Sequence, residues 1–271
     1  MVKIWTNTKT LDSYNSGLYF TNNKEEAHIL LSGSKTINLK DFHQLKAIFR
    51  CGIGRDNIPE NEAREKGIIV RFPNEKTINI IFEETANFTC HLILKMIYSN
   101  VGDVDRWIKF DRLHLGNLNL LVIGMGNIGK KVYNKMSNFL NVSSYDILYQ
   151  SKTELNKLIK NSDCITIHIP NSIENKNFFS KDKFKLMKKN SILINTARGD
   201  IVNENDLYDA LSNNKIRSAF DVFWNEPYNG KLKKFHPKIF HMTPHISSTC
   251  ADFLIGCRND LNTLIEEIKN D

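Results

Sequence analysis

Three glycines, Gly124, Gly126 and Gly129, form a G-x-G-x-x-G element inside LLVIGMGNIGKK, and Asp146 follows Gly129 by 17 residues. The run before the glycines is short and apolar, and the run after them has helical spacing. Asp146 closes the next strand-like stretch, VSSYD. Strand, glycine turn, helix, strand and acid in that order are the context in which such glycines bind a dinucleotide. Gly124 permits the tight turn, and Gly126 lets the backbone approach a pyrophosphate with no side chain between. Gly129 lets the helix sit close to the sheet. The pyrophosphate then rests on unpaired N–H groups at the helix start, around Asn127 and Ile128. Asp146 can accept hydrogen bonds from both ribose hydroxyls and would repel a 2′-phosphate. No arginine follows it (Ile147-Leu148-Tyr149), which favours NAD over NADP.

Four further segments carry residue types suited to chemistry: SDCITIHIP (162–170), LMKKNSILINTARGDIVNENDLYDAL (186–211), AFDVFWNEP (219–227) and TPHISST (243–249). Upstream lies CGIGRDNI (51–58). In these segments, their order and their spacing, the chain resembles the D-isomer-specific 2-hydroxyacid dehydrogenases, with a leaning to the phosphoglycerate dehydrogenase branch, over roughly residues 50–250. The resemblance implies roles for individual residues. Arg198 holds the substrate carboxylate and polarises the carbonyl, His245 is the catalytic acid/base, and Glu226 is the carboxylate paired with it. Asp221 fixes the nicotinamide carboxamide, with His168, Pro170, Thr196 and Ala197 lining the cofactor beside it. Gly52 and Ile53 offer backbone amides to the substrate carboxylate, and Arg50 suits a phosphorylated substrate such as 3-phosphoglycerate. Arg55 and Arg71 are further candidates for an anionic group.

Elementary chemistry accounts for such a set. Loss of hydride from an alcohol requires a group to take the hydroxyl proton, and histidine, with an ordinary pKa of about 6.5, can take it and return it. A neighbouring carboxylate favours imidazolium and orients the ring. A guanidinium grips a carboxylate through two hydrogen bonds, which an ammonium does less well. The nicotinamide carries the hydride, and the protein aligns it.

The elements that position these residues are legible from periodicity. Val2–Trp5, Ile29–Leu31, Leu45–Phe49 and Ile68–Val70 are too short for helices and read as buried strands. Helices are expected over Ile58–Lys66 and roughly Thr77–Ser99. From Leu118 strands alternate with helices to a last strand in IFHMTPH, implying right-handed crossovers and a parallel sheet. Ala251–Lys269 has apolar residues at helical spacing and is expected to pack onto the first domain. The fold class expected is α/β, with two Rossmann-like or flavodoxin-like parallel-sheet domains and a cleft between them. Residues 1–99 plus 251–271 would form the substrate domain and 100–250 the NAD-binding domain. Only 50 residues precede Cys51, fewer than usual in the family, so the substrate domain is expected to be shortened.

Bulk composition narrows the function class. The chain has 271 residues, 41% hydrophobic and 25% charged, and its start, MVKIWTNTKT, lacks a signal-peptide pattern; a cytoplasmic location and no membrane partner are expected. Five cysteines without a C-x-x-C pair argue for free thiols in a reducing compartment. The histidines show no metal-ligand spacing. The net charge of +7 is spread over scattered lysines, so a solvated surface is expected and not a nucleic-acid partner. The partners implied are a small 2-hydroxy or 2-keto acid and, through the resemblance, a second copy of the chain as a homodimer. The competing reading is a NAD-sensing binding or scaffold protein without turnover, which would need neither member of the proton-transfer pair.

Overall fold

The computed structural model describes residues 1–270, which divide into two compact units. In chain order the first elements are β1 (Ile4–Thr6), β2 (Ile29–Ser32), β3 (Ala47–Arg50), α1 (Glu60–Glu65), β4 (Ile69–Arg71) and α2 (Glu75–Ile97). A short pair, β5 (Gly102–Asp103) and β6 (Ile108–Lys109), precedes β7 (Asn119–Ile123), α3 (Asn127–Met136), β8 (Asn141–Tyr145), α4 (Lys152–Asn161) and β9 (Cys164–Ile167). Then come α5 (Lys181–Leu186), β10 (Ser191–Asn195), α6 (Glu204–Ser212), β11 (Ile216–Phe220), β12 (Phe240–Met242) and α7 (Ala251–Asn270).

The first unit, Met1–Phe82 with Ser248–Asp271, is built on a parallel sheet of order β1-β2-β3-β4. α7 covers one face, laying Phe253, Cys257, Leu261, Leu264 and Ile268 against Ile4, Ile29, Leu31 and Phe49. That spacing of three and four is the amphipathic stripe seen in the sequence. The other face is closed by α1 and by loop residues such as Ile37, Leu39 and Phe42. The connection from β1 to β2 holds only two single-turn 3-10 segments, and that from β2 to β3 holds no regular helix. These two reduced crossovers are where the unit is shortened.

The second unit, Glu83–Ser247, carries a six-stranded parallel sheet of order β12-β11-β10-β9-β7-β8. Strands β9 (CITI) and β10 (SILIN) are buried along their whole length, which is why they read as apolar runs and not as alternations. Helix α4 begins with a capping box in which the Ser151 hydroxyl accepts from the Glu154 N–H and the Glu154 carboxylate accepts from the Ser151 N–H. From β7 the chain runs to β8 on one side and then crosses back to β9 on the other, the flavodoxin-like order. The reversal opens a crevice at the C-terminal ends of β7 and β9, where open α/β sheets bind ligands.

The compact units part at Phe82/Glu83 and Ser247/Ser248, whereas the change of sequence texture suggested 99/100 and 250/251. The difference comes from α2. Its second half buries Ala86, Leu92, Ile93 and Met96 with Leu120, Val122 and Ile194 of the six-stranded sheet, while Ile81 belongs to the first core. A helix apolar on more than one side carries no mark of which core claims each turn. Among the described residues no helix is long and apolar enough to cross a membrane, and the five cysteines are free thiols.

Candidate active site

The glycine turn has the geometry its sequence requires. Gly124 has a φ of +93°, and a Cβ there would lie 2.6 Å from the His168 carbonyl oxygen. A Cβ on Gly129 would lie 1.9 Å from the Gly124 carbonyl oxygen, so α3 could not sit this close to the turn with any side chain at 129. At Gly126, by contrast, a Cβ would meet nothing within 4 Å. Gly126 is the N-cap of α3 and has no side chain with which to cap it. Among the described residues the amides of Asn127, Ile128 and Gly129 have no acceptor, as expected for a first helical turn. Open space before a set of unpaired N–H groups is the cradle a pyrophosphate fills.

Asp146 stands immediately after β8, as its spacing implied. Its Oδ2 accepts from the Met125 N–H and its Oδ1 from the Leu148 N–H, both at 3.0 Å, which fixes the carboxylate beside the glycine turn. A carboxylate has about four acceptor positions, so capacity is left for ribose hydroxyls. His168, just beyond β9, shares a 3.0 Å hydrogen bond between Nε2 and the Thr166 hydroxyl. Enclosure of its ring pushes it down to about 3, so it is neutral near pH 7. Pro170 is exposed at the end of the same segment.

After β10 the chain turns sharply at Thr196–Arg198. Asn195, fully buried, builds this turn: its Oδ1 accepts from the Ala197 N–H at 3.0 Å and its Nδ2 donates to the Arg198 carbonyl at 2.8 Å. Thr196 is held by a 2.8 Å contact between its hydroxyl and that of Thr89 on α2. Arg198 donates from Nη1 to the Ala197 carbonyl at 2.8 Å and is partly exposed. Neither Asn195 nor Thr89 was singled out in the sequence, because an asparagine or threonine that works on the backbone has no recognisable spacing.

Glu226 and His245 come together, with Oε2 2.7 Å from Nδ1. Glu226 is itself held by the Phe223 N–H, which donates to Oε1 at 3.1 Å. Its loop is pinned by Trp224, whose indole N–H donates to the Val202 carbonyl at 2.8 Å, and by stacking of Phe223 on Tyr228. A carboxylate at Nδ1 requires the proton on that nitrogen, leaving Nε2 as the nitrogen that can exchange a proton with a ligand.

Asp221, expected beside the nicotinamide carboxamide, is held by donors of the protein itself. It is wholly buried, and its carboxylate is turned onto the loop that carries His245. Oδ1 accepts from the Thr243 hydroxyl at 2.6 Å and the Ile246 N–H at 2.9 Å, and Oδ2 accepts from the Ser247 N–H at 2.9 Å. Between these anchors His245 takes a φ of +55°, a left-handed backbone uncommon outside glycine. Arg50 is turned into its own loop. Expected on the substrate, it is only 5% exposed and donates to the Cys51 and Gly54 carbonyls of its own loop. Arg50, Gly52, Ile53, Arg55 and Arg71 belong to the first unit; the other expected site residues belong to the second.

A parallel sheet with the flavodoxin-like order, a glycine-turn cradle at its reversal and a histidine–carboxylate pair on the same strand ends define a dinucleotide-binding domain that carries an acid/base pair. Residues 98–247, more than half of the chain, match the model of the D-isomer specific 2-hydroxyacid dehydrogenase NAD binding domain. A D-3-phosphoglycerate dehydrogenase of Methanocaldococcus jannaschii is 33% identical over 222 residues, which are 73% of this chain and 41% of that protein. A glyoxylate reductase of Thermococcus litoralis is 29% identical over 240 residues, 78% of this chain and 70% of that one. In structure the chain is similar to an Aquifex aeolicus D-lactate dehydrogenase complexed with NAD and lactic acid. The TM-score is 0.78, with 22% identity and coverage of 99% of this chain and 95% of that one. The chain therefore belongs to the D-isomer specific 2-hydroxyacid dehydrogenase family, and the cofactor of its second unit is NAD. It spans less than half the length of the M. jannaschii relative.

Two outcomes are expected from this geometry. Asp221→Ala leaves the Ile246 and Ser247 amides without their acceptor, at about 1–3 kcal/mol for each orphaned group. Urea unfolding should show that loss while NADH affinity changes little; an intact midpoint with lost NADH affinity would return Asp221 to the carboxamide. For His168, the unfolded chain takes a proton near 6.5 and the folded chain only near 3, so stability falls as pH falls through that window. The stability advantage of the wild type over His168→Gln should shrink by up to about 1.4 kcal/mol per pH unit there. An advantage independent of pH would contradict burial of a neutral ring.

Proposed function

We propose that the chain is a NAD-dependent oxidoreductase that interconverts a small D-2-hydroxy acid and its 2-keto acid. The observation that carries this reading is the 2.7 Å pair between Glu226 and His245 at the strand ends of the sheet that bears the glycine turn. When bound, NAD accepts or supplies the hydride at C2 of the acid. His245 takes the hydroxyl proton in oxidation and returns it in reduction, from Nε2. Glu226 holds the ring and stabilises the imidazolium formed in the oxidative direction. Arg198 pairs with the substrate carboxylate and polarises the C2 oxygen through its guanidinium. Gly52 and Ile53 of the first unit offer backbone amides for an anionic group; among the described residues neither amide has an acceptor of its own.

Arg50, the residue behind the 3-phosphoglycerate reading, donates to carbonyls of its own loop, and 3-phosphoglycerate stands beside the short keto acids as a candidate substrate. A NAD-sensing scaffold of the same fold is the competing reading, and the aligned Glu226–His245 pair speaks against it, since sensing requires no proton transfer.

A homodimer is proposed as well. Val104 and Trp107 in the β5–β6 hairpin and Leu113 after it are exposed, at 80%, 83% and 59%. Exposed apolar side chains of this kind fit a second copy of the chain better than water. Wild-type protein should sediment as a dimer and Trp107→Ser should shift toward monomer; a monomeric wild type would end this proposal.

The activity is tested by following NADH oxidation with glyoxylate, pyruvate, hydroxypyruvate and branched 2-keto acids. At least one should be reduced, and His245→Ala should lower kcat by about 10²- to 10⁴-fold with NADH affinity nearly intact. NADH binding without oxidation on any acid would favour the sensor.

A further inference from the structure

One face of the first unit's sheet is left open where its crossovers hold no regular helix. α1 packs beside β4, and the β1 end of that face is covered by loops and a single-turn 3-10 segment. A cavity of about 640 Å³ opens there, beside the C-terminal ends of β1 and β2. That volume lies within the range of about 300–1,000 Å³ usual for small-molecule sites. All its lining residues fall between Trp5 and Phe42, and none of them is a residue of the candidate active site.

The floor of the cavity is apolar and its rim is cationic. Leu30, Ile37 and Phe42 are buried, and Trp5 meets Phe42 edge to face at 5.4 Å. Lys24 closes one end, with Nζ 5.4 Å from the Trp5 ring, 5.8 Å from the Phe42 ring and 2.8 Å from Asp41. Lys9 and Lys35 are exposed on the loops that follow β1 and β2, and among the described residues neither ammonium has an acidic partner. Three lysines line the cavity against one aspartate, Asp12, so the potential over the floor favours an anion. The rim is also set before any ligand arrives. Asn7 Oδ1 accepts from the Gly33 N–H at 2.9 Å, and Asn57 Nδ2 donates to the Gly33 and Lys35 carbonyls at 2.8 and 2.9 Å. The Thr8 and Thr10 hydroxyls share a 2.6 Å hydrogen bond, and a Cβ on Gly33 would lie 2.7 Å from Thr8 Oγ1. Two loops locked this closely lose little freedom on binding, which favours affinity.

We propose that this cavity is a second binding site, for a small organic anion. Its apolar ring lies on Trp5, Leu30, Ile37 and Phe42, and its carboxylate or phosphate meets Lys9 and Lys35. A bare inorganic anion leaves the apolar floor uncovered, and a neutral ring leaves both ammonium groups without a counter-charge. The site lies wholly within the first unit, and its existence does not depend on dehydrogenase activity.

The test uses the full chain saturated with NADH, so that the glycine-turn site is occupied. 2-Naphthoate, 1-naphthyl phosphate, 2-naphthamide, 2-naphthylmethylamine and acetate are titrated in turn. The Trp5 indole N–H and the Thr36 amide are followed by NMR. The two naphthyl anions should shift both signals saturably, with a Kd of about 1 mM or below. Neutral 2-naphthamide should bind about tenfold more weakly, and acetate should shift neither signal. Both rim lysines are exposed, so Lys9→Gln/Lys35→Gln keeps the fold. That double variant should weaken the anions by about tenfold, the order expected for two exposed ion pairs, with NADH affinity unchanged. Lys9→Arg/Lys35→Arg should keep wild-type affinity.

No saturable shift with either anion up to about 10 mM would overturn the proposal. Equal affinity for 2-naphthamide would overturn it as well, as would anion binding that ignores the loss of both lysines. Tighter binding of 2-naphthylmethylamine would also overturn it, and would make Asp12 the group that recognises the ligand. Tighter binding of either naphthyl anion over the other sustains the site and identifies its preferred headgroup, carboxylate or phosphate.

Discussion

Much of the second unit's chemistry hangs on one buried carboxylate. Asp221 sits at the end of β11, and its two oxygens hold three donors from the segment 243–247. That segment must carry His245 through a left-handed backbone, which costs on the order of 1–3 kcal/mol unless the surroundings impose it. A single buried carboxylate that accepts from donors on both sides of the strained residue is what imposes it. Glu226 then has only to orient a ring already delivered to the right place. Remove the anchor and the histidine is an ordinary residue on a surface loop.

The sheet makes that anchor possible. All six strands are parallel, so every strand end that follows a crossover faces the same way, and the β7/β9 reversal leaves room there. The glycine turn after β7, His168 after β9, Arg198 after β10, Asp221 after β11 and His245 after β12 all lie on that edge. Residues 124 to 245 are thereby collected on the C-terminal edge of one sheet without any long-range motif in the chain. Side chains with no chemistry of their own set the local angles: Asn195 shapes the turn under Arg198, and Trp224 and Tyr228 pin the loop under Glu226.

Sequence reading succeeded where a physical requirement leaves one residue type. The G-x-G-x-x-G element was legible because the close contacts at Gly124 and Gly129 admit only glycine, and most strands because buried parallel strands are continuously apolar. The Glu226–His245 pairing was expected from resemblance, and the structure places the two groups in contact. Three features were hidden. The division of α2 between two cores leaves no mark, since both faces are simply apolar. Arg50 was read as suiting a phosphorylated substrate, and nothing in the sequence shows that its own loop encloses it. Asp221 lies in a motif shared with relatives, and a motif says which residue is present but not which donors its oxygens meet. The β5–β6 hairpin was also missed, being only two residues on each side.

The central claim is that this pair serves hydride transfer to C2 of a 2-keto acid. A single-turnover reaction with NADH carrying deuterium at both C4 positions tests it most directly, with the product analysed by NMR and on a chiral column. The account expects a D-2-hydroxy acid with one deuterium at C2 and none incorporated there from heavy-water solvent in the converse experiment. Product without deuterium at C2, or no product from a protein saturated with NADH, would contradict it.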